Sequence, residues 1–366
     1  MTKKKISIIL IVLSIYTFLI TFFHIAGLCC LPFADTTLPT KDYSNMMRLC
    51  VEKNPKLKDY PINRIACLGT HDSFSYNINM SSKPNTNEPD NLSNTPVLNV
   101  IGKGLMVRFA RSQAHCVLEQ LQRGVRFLDV RITYVDNTFY TSHGFISETL
   151  ENSLLQVLEF LDKNPGEIIY FQIFHNFLGN GSIDLEREEF KRIKYNNKCI
   201  YDFVNYDIEN ELDFSNLTYN EATCNGNKGG IILFDRLNYK EGNYKEYFKL
   251  TPMLDRSGKN YHDINELKTN VEDHYNSLPE LDKKLTVNNI TLSPSSDRWW
   301  YFLTRPSLLR LAETINLNYL NDVDFNKYLT KMPIVSCDLA TQNKGDFNIK
   351  INEKLIEYNR NLVEQI

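Results

Sequence analysis

Short apolar runs of strand length alternate along most of this chain with segments whose apolar positions recur every three or four residues. Residues 64–69, 125–133, 167–174, 229–235 and 333–338 are rich in Ile, Val, Phe and Leu and read as buried strands. Helical spacing runs through 115–123, 149–162, 306–318 and 349–362, and Asn164-Pro165-Gly166 supplies a helix stop. This alternation predicts an α/β domain with a largely parallel sheet. One such series over this length suits a barrel of about eight strands, of which five or six can be picked out. No internal repeat is visible. The polar stretches 77–113 and 178–228 read as long connections, where such folds often carry their sites.

The N-terminus breaks the pattern. Lys3, Lys4 and Lys5 precede an uncharged apolar stretch from Ile6 to Leu31, interrupted only by Ser7, Ser14, Thr17, Thr21 and His24. A cleavable signal has an apolar core of about 7–15 residues, whereas a spanning helix needs about 20. No clean small-x-small cleavage site follows; Pro32-Phe33-Ala34 comes closest. Residues 1–31 are therefore expected to be a signal anchor or a long signal peptide, 32–60 a polar leader, and 61–366 one catalytic barrel. A buried core helix is the competing reading, weakened by lysines at one end only. With the positive end inside, 35–366 faces the lumen or the exterior, anchored to the membrane, or secreted if the segment is removed.

Composition adds limits. Apolar residues at 42% and aromatics at 12% argue against disorder, and 366 residues allow one large core or two modest ones. With 41 basic against 44 acidic residues, nothing electrostatic points to nucleic acid as a partner. Eight cysteines suit an oxidising compartment, with Cys199–Cys224 the expected disulfide; Cys29 and Cys30 are open to palmitoylation or simple packing. Sequons at Asn79, Asn91, Asn180, Asn216 and Asn289 are weak support for a glycoprotein, because the chain is rich in Asn. No cysteine or histidine spacing matches a zinc site.

Polar residues gather after the expected strands, where an α/β barrel builds its site. Gly69-Thr70-His71-Asp72-Ser73 follows the first strand. In Phe127-Leu128-Asp129-Val130-Arg131-Ile132, strand alternation puts Asp129 and Arg131 on one face. Buried charges are costly unless paired or functional, so the choice lies between a structural ion pair and a site. Ser142-His143-Gly144, Asp235-Arg236, Glu272-Asp273-His274-Tyr275 and Cys337-Asp338 follow. Two histidines and an arginine facing one pocket suit phosphoryl transfer from an ester. One imidazole takes a proton from the attacking hydroxyl, the other gives one to the leaving oxygen, and the guanidinium meets the developing charge.

At these residues the chain resembles the X domain of phosphatidylinositol-specific phospholipase C, closest to the bacterial enzymes and the eukaryotic X-domain-containing proteins. The resemblance rests on Leu68-Gly69-Thr70-His71-Asp72-Ser73-Phe74, Glu119-Gln120-Leu121 with Gly124 through Arg131, His143-Gly144, and Glu167-Ile168-Ile169. It runs from about residue 61 to the C-terminus and is strongest over 64–176. It implies a distorted TIM barrel that cleaves the phosphodiester of an inositol phospholipid, plain or glycan-linked, at a membrane surface. By that resemblance His71 is the general base on the inositol 2-hydroxyl and His143 the general acid. Arg131 stands where bacterial members keep an arginine and calcium-dependent ones a carboxylate ligand. Asp72 and Asp129 match acidic positions, Asp129 pairing with Arg131. Asp338 orients His71, and Arg236, Asp273 and Tyr275 match inositol-contacting positions. No metal and no cofactor are implied.

One departure stands out. Where bacterial members carry a substrate lysine and calcium-dependent ones a glutamate, this chain has Gln172 or Ile173; His175 nearby matches the eukaryotic group or is a core histidine. Strand parity places Cys67 on His71's face and Cys337 opposite Asp338's, so those two cysteines should not be bridged. The leading expectation is a metal-independent phosphodiesterase forming diacylglycerol and inositol 1,2-cyclic phosphate. The alternatives are a membrane-tethered headgroup-binding protein on the same fold, or catalysis on a glycerophosphodiester or sphingolipid.

Overall fold

The computed structural model describes residues 3–28, 34–88, 103–205, 216–235, 263–279, 285–293, 307–322 and 325–362. Eight strands form one sheet: β1 (Cys67–Thr70), β2 (Val125–Val135), β3 (Thr138–His143), β4 (Phe145–Thr149), β5 (Ile168–Phe177), β6 (Gly230–Asp235), β7 (Val287–Asn289) and β8 (Ile334–Cys337). Six of them run parallel in the order β7–β8–β1–β2–β5–β6. The hairpin β3–β4 pairs antiparallel with the outer half of β2, from Ile132 to Val135, just beyond the stretch that β1 occupies. The helices are α1 (Lys3–Leu28), α2 (Met46–Lys53), α3 (Lys103–Ala110), α4 (Val117–Gln122), α5 (Leu150–Lys163), α6 (Ile183–Arg192), α7 (Tyr219–Ala222), α8 (Ile264–Ser277), α9 (Leu308–Asp322), α10 (Phe325–Leu329) and α11 (Phe347–Asn361). The result is a distorted α/β barrel whose sheet, among the described residues, does not close between β6 and β7.

The sequence forms these elements for local reasons. β2 is buried on both faces from Val125 to Thr133, as a central parallel strand must be. In α5, Leu150, Leu154, Val157, Leu158 and Leu161 bury one stripe, Thr149 caps the start through Asn152 N–H, and the helix ends at Asn164 before Pro165 and Gly166. At the N-terminal end of the sheet, buried asparagines of α11 stand in for sheet partners. Asn359 both accepts from Ala66 N–H and donates to its carbonyl, at 2.8 and 2.9 Å, and Asn352 donates to Arg123 O at 2.9 Å.

Several expectations are corrected here. The 32–60 segment is not a separate leader, because Tyr43, Met46, Met47, Cys50 and Val51 lie in the main core. It is pinned by a fully buried pair, Arg126–Glu167. Arg126 donates to the carbonyls of Tyr43 and Ser44, and Glu167 accepts from Met47 and Arg48 N–H, capping the start of α2 from another element. The stretch 178–228 carries α6 and α7, and 77–113 carries α3. Cys199 and Cys224 are free thiols, not a disulfide; Cys67 and Cys337 are also free, their register partners being Ile334 and Thr70.

α1 holds together the apolar N-terminal stretch, with Leu10, Val12 and Phe18 among many exposed side chains. Its side chains are described only over 5–19 and 21–22, and among the described residues no helix is long and apolar enough to cross a membrane.

Candidate active site

The turn after β1 is welded to β2. Ser73 donates to Thr70 O at 2.9 Å and its own Oγ accepts from Asp129 N–H at 2.8 Å, while Ser73 N–H donates to Asp129 O at 2.8 Å. Asp72 sits in the left-handed region (φ 45°), which aims its carboxylate back over the strand ends. That carboxylate is the hub of the site. It forms an ion pair with Arg131 Nε, and its Oδ2 lies 3.4 Å from His71 Nε2, 3.2 Å from His143 Nδ1 and 3.4 Å from Ser112 Oγ.

His71 follows β1, with Nδ1 2.8 Å from Asp338 Oδ1 at the end of β8. Its Nε2 is 3.4 Å from Arg131 Nη2. His143 ends β3, with Nδ1 2.8 Å from Ala110 O, so Nδ1–H donates to that carbonyl and Nε2 is left for chemistry. The two imidazoles stand 6.4 Å apart, edge to face, with Asp72 between them.

The charges set the protonation states. Burial alone would lower the proton affinity of His71, but Asp72, Asp338 and Asp129 overcome it and push its pKa up to about 9. His143 is lowered by burial; Asp72 and Glu88 oppose this, while Arg131 and His71 add to it. Asp338 and Asp129 are both raised by burial, the first opposed by His71 and the second reinforced by Asp72. At neutral pH the ligand-free site therefore holds its proton on His71 and leaves His143 neutral.

The structure thus brings together His71, Asp72, Asp129, Arg131, His143 and Asp338. Arg131, though, is ion-paired with Asp72 rather than with the expected Asp129. Parity put both residues of β2 on the right face, but the left-handed turn at Asp72 delivers a carboxylate to the guanidinium first. Asp129 instead accepts Asp72 N–H at 3.3 Å. Two expected residues lie elsewhere. Asp273 is exposed on α8, and Tyr275 packs against Tyr328 and meets Thr330 Oγ1 at 3.3 Å. Thr330 is also bonded by Arg64, which precedes β1, so Tyr275 lies at the end of the sheet opposite His71. Arg236 lies outside the described residues.

Register settles the unusual strand. Gln172 of β5 pairs with Asp129 and shares its face, whereas Ile173 pairs with Val130. A register shift after Val130 sets Arg131 opposite His175 and brings Phe174 to the guanidinium, 5.7 Å from its ring centre. Gln172 is buried. Sequence reasoning missed Glu88, Ser112 and Gln113. Gln113 donates to His71 O at 2.8 Å and to Cys337 O at 3.1 Å, tying β1 to β8. No motif or periodicity in 77–113 signals them.

His71, Asp72 and Asp129 bring ligand-type atoms within 4.8 Å of one another. The set does not fit a divalent cation as it stands. Arg131 already places a fixed positive charge on Asp72, and His71 Nδ1 is held by Asp338.

The zebrafish (Danio rerio) PI-PLC X domain-containing protein 3 is 31% identical over 136 residues, 36% of this chain and 42% of the relative. The chain is similar to PI-PLC X-domain proteins. The human (Homo sapiens) PI-PLC X domain-containing protein 2 is 28% identical over 125 residues, 33% of this chain and 41% of that relative, so the match spans less than half the length of these relatives. No family model matches the chain. Among solved structures, the phosphatidylinositol-specific phospholipase C of Staphylococcus aureus aligns with a TM-score of 0.56 at 18% identity, covering 87% of this chain and 97% of that one. The enzyme of Listeria monocytogenes aligns at 0.51 and 17%, covering 87% and 98%. At such identities these two structures establish the barrel.

Proposed function

We propose that this chain is a phosphodiesterase that cleaves an inositol phospholipid, plain or glycan-linked, by intramolecular phosphoryl transfer. The observation that carries the reading is the pair of imidazoles 6.4 Å apart flanking the Asp72–Arg131 ion pair. Asp338 holds Nδ1–H of His71, so neutral His71 presents the lone pair of Nε2 to the inositol 2-hydroxyl. The 2-oxygen bonds to phosphorus as its proton passes to His71. The bond from phosphorus to the diacylglycerol oxygen breaks as Nε2–H of protonated His143 gives that oxygen its proton. Arg131 offers planar donors to the phosphate oxygens while charge builds. The products are diacylglycerol and inositol 1,2-cyclic phosphate, and no step uses a metal.

In the productive state the proton lies on His143 rather than on His71, the reverse of the ligand-free preference. The bound phosphate diester, an anion beside His143, favours that exchange. The N-terminal helix is proposed to tether the protein to a membrane with the barrel on the lumenal or outer side. The experiment is incubation of the full-length protein with phosphatidylinositol vesicles and with a glycan-linked anchor, with the phosphate product identified by NMR. His71→Ala should remove cleavage and leave the fold intact. Headgroup binding without product in the unaltered protein would replace this reading by that of a binding protein, for which Gln172 in place of a lysine is the supporting observation.

A further inference from the structure

The excursion between β1 and α4 opens with a strap, residues 83–88, laid along the β3–β4 turn. Ile146 N–H donates to Lys83 O at 2.8 Å, and Pro84 bridges to Phe145. Asn85, fully buried, donates from its backbone to Gly144 O at 2.9 Å and from its side chain to Ser142 Oγ at 3.0 Å, and its Oδ1 accepts from Thr133 at 2.9 Å. Glu88 then closes the strap, Oε2 accepting Gly144 N–H at 2.8 Å. The residues on both sides of His143 are thereby held, and Gly144 itself sits in the left-handed region (φ 68°). None of these contacts is made by the six residues already assigned to the chemistry.

We propose that Glu88 is a positioning residue for the general acid: it locks the Gly144 turn and sets a carboxylate on the backbone next to His143, favouring its protonated, proton-donating form. The inference rests on the phosphodiesterase reading above and names a residue outside it. The charged groups acting on His143 include Asp72 from the β1 turn, Arg131 from β2, His71, Asp338 after β8, and Glu88 from the strap. Two of these are cationic or become so. Asp72 is already shared with Arg131, and Asp338 is held by His71, so Glu88 supplies the remaining negative charge that lets the imidazole hold a proton beside a guanidinium.

The test exploits leaving-group chemistry. Expulsion of diacylglycerol needs a proton from His143, whereas a nitrophenolate leaves without one. Glu88→Gln keeps an oxygen for Gly144 and removes the charge. It should lower kcat/KM on phosphatidylinositol by about tenfold or more, within the range general acid catalysis contributes. On the nitrophenyl ester of inositol phosphate the loss should stay below about threefold. The His143 imidazole, followed by NMR, should titrate at lower pH in the variant. Equal losses on both esters with an unmoved His143 titration, or no loss at all, would overturn the proposal. If Glu88→Gln does not fold, Glu88→Asp withdraws the charge by one methylene and should move His143 the same way by less; an unmoved titration there also overturns it. If the unaltered protein cleaves neither ester, the phosphodiesterase reading fails, and the His143 titration still decides the role of Glu88.

Discussion

The dyad between His71 and Asp338 gives the sharpest test of the site. Asp338→Asn keeps an oxygen to accept Nδ1–H at the same 2.8 Å contact and removes only the charge. His71 is raised from 6.5 to about 9 against the pull of burial. That shift corresponds to about 3 kcal/mol of preference for the imidazolium, at about 1.4 kcal/mol per tenfold. Asp338 contributes to it both as a charge and as a hydrogen-bond acceptor, after Asp72 and ahead of Asp129. Losing the charge should remove roughly half of that preference, 1–2 kcal/mol. The proposed reaction needs neutral His71 with protonated His143, while the ligand-free site holds its proton more tightly on His71. Activity therefore climbs as pH rises through the lower His143 pKa and falls as pH rises through that of His71. The assay is kcat/KM on phosphatidylinositol from pH 5 to 10. The falling limb is expected near 9 in the unaltered protein, with the rising limb at the lower His143 value, and the falling limb should move down toward neutrality in Asp338→Asn. The plateau should fall by about a hundredfold or more, because the imidazolium formed in the transition state loses its counter-charge. Because the two imidazoles are coupled, the limbs belong to the pair, and the comparison between proteins carries the inference. A falling limb that stays near 9 in the variant, or an unchanged plateau, would refute the assignment.

Other consequences are as specific. The raised His71 pKa is also a stability statement: its contribution is complete below about 6.5 and is lost as pH rises through about 9, up to about 3 kcal/mol, so denaturation midpoints should fall over that window and do so less in His71→Ala. Arg126→Met strands Glu167 as an unpaired buried carboxylate and should cost about 3–5 kcal/mol in urea unfolding, with Glu167 protonated in the variant. Gly124→Ala forces a side chain at φ 90° into Asn352 and should lower the melting temperature by several degrees, reflecting at least about 1–3 kcal/mol. Chelation by EDTA should leave turnover unchanged; loss restored by calcium would overturn the metal-independent reading.

The sequence made the main parallel strands and the turn after β1 legible, because buried runs of β-branched residues and a dense polar motif are strong local signals. The hairpin β3–β4 and the three-residue β7 were not seen, since their polar residues break any apolar run. α2 could have been: Met46, Met47, Cys50 and Val51 recur at helical spacing within a charged stretch that average polarity disguised. Tyr275 is a different lesson. Leu267, Val271 and Tyr275 fall four residues apart, the spacing of a packing face, and the structure uses them that way. The partner of Arg131 lay beyond sequence reasoning because it depends on one left-handed residue 59 positions away, at Asp72. The strap at 83–88 was hidden for a similar reason, since backbone groups make many of its contacts.

The pairing of β1 with β8 also governs when the site can be assembled. His71 and its partner Asp338 are separated by 267 residues, and Asp338 directly follows β8, which pairs with β1. A ribosome exposes the base early and its counter-charge late. During synthesis His71 lacks the carboxylate that meets its Nδ1, so on the proposed reading the base stays untuned until residues beyond 338 have emerged. Truncation between β3 and β8 leaves a polypeptide with both histidines and no Asp338 carboxylate.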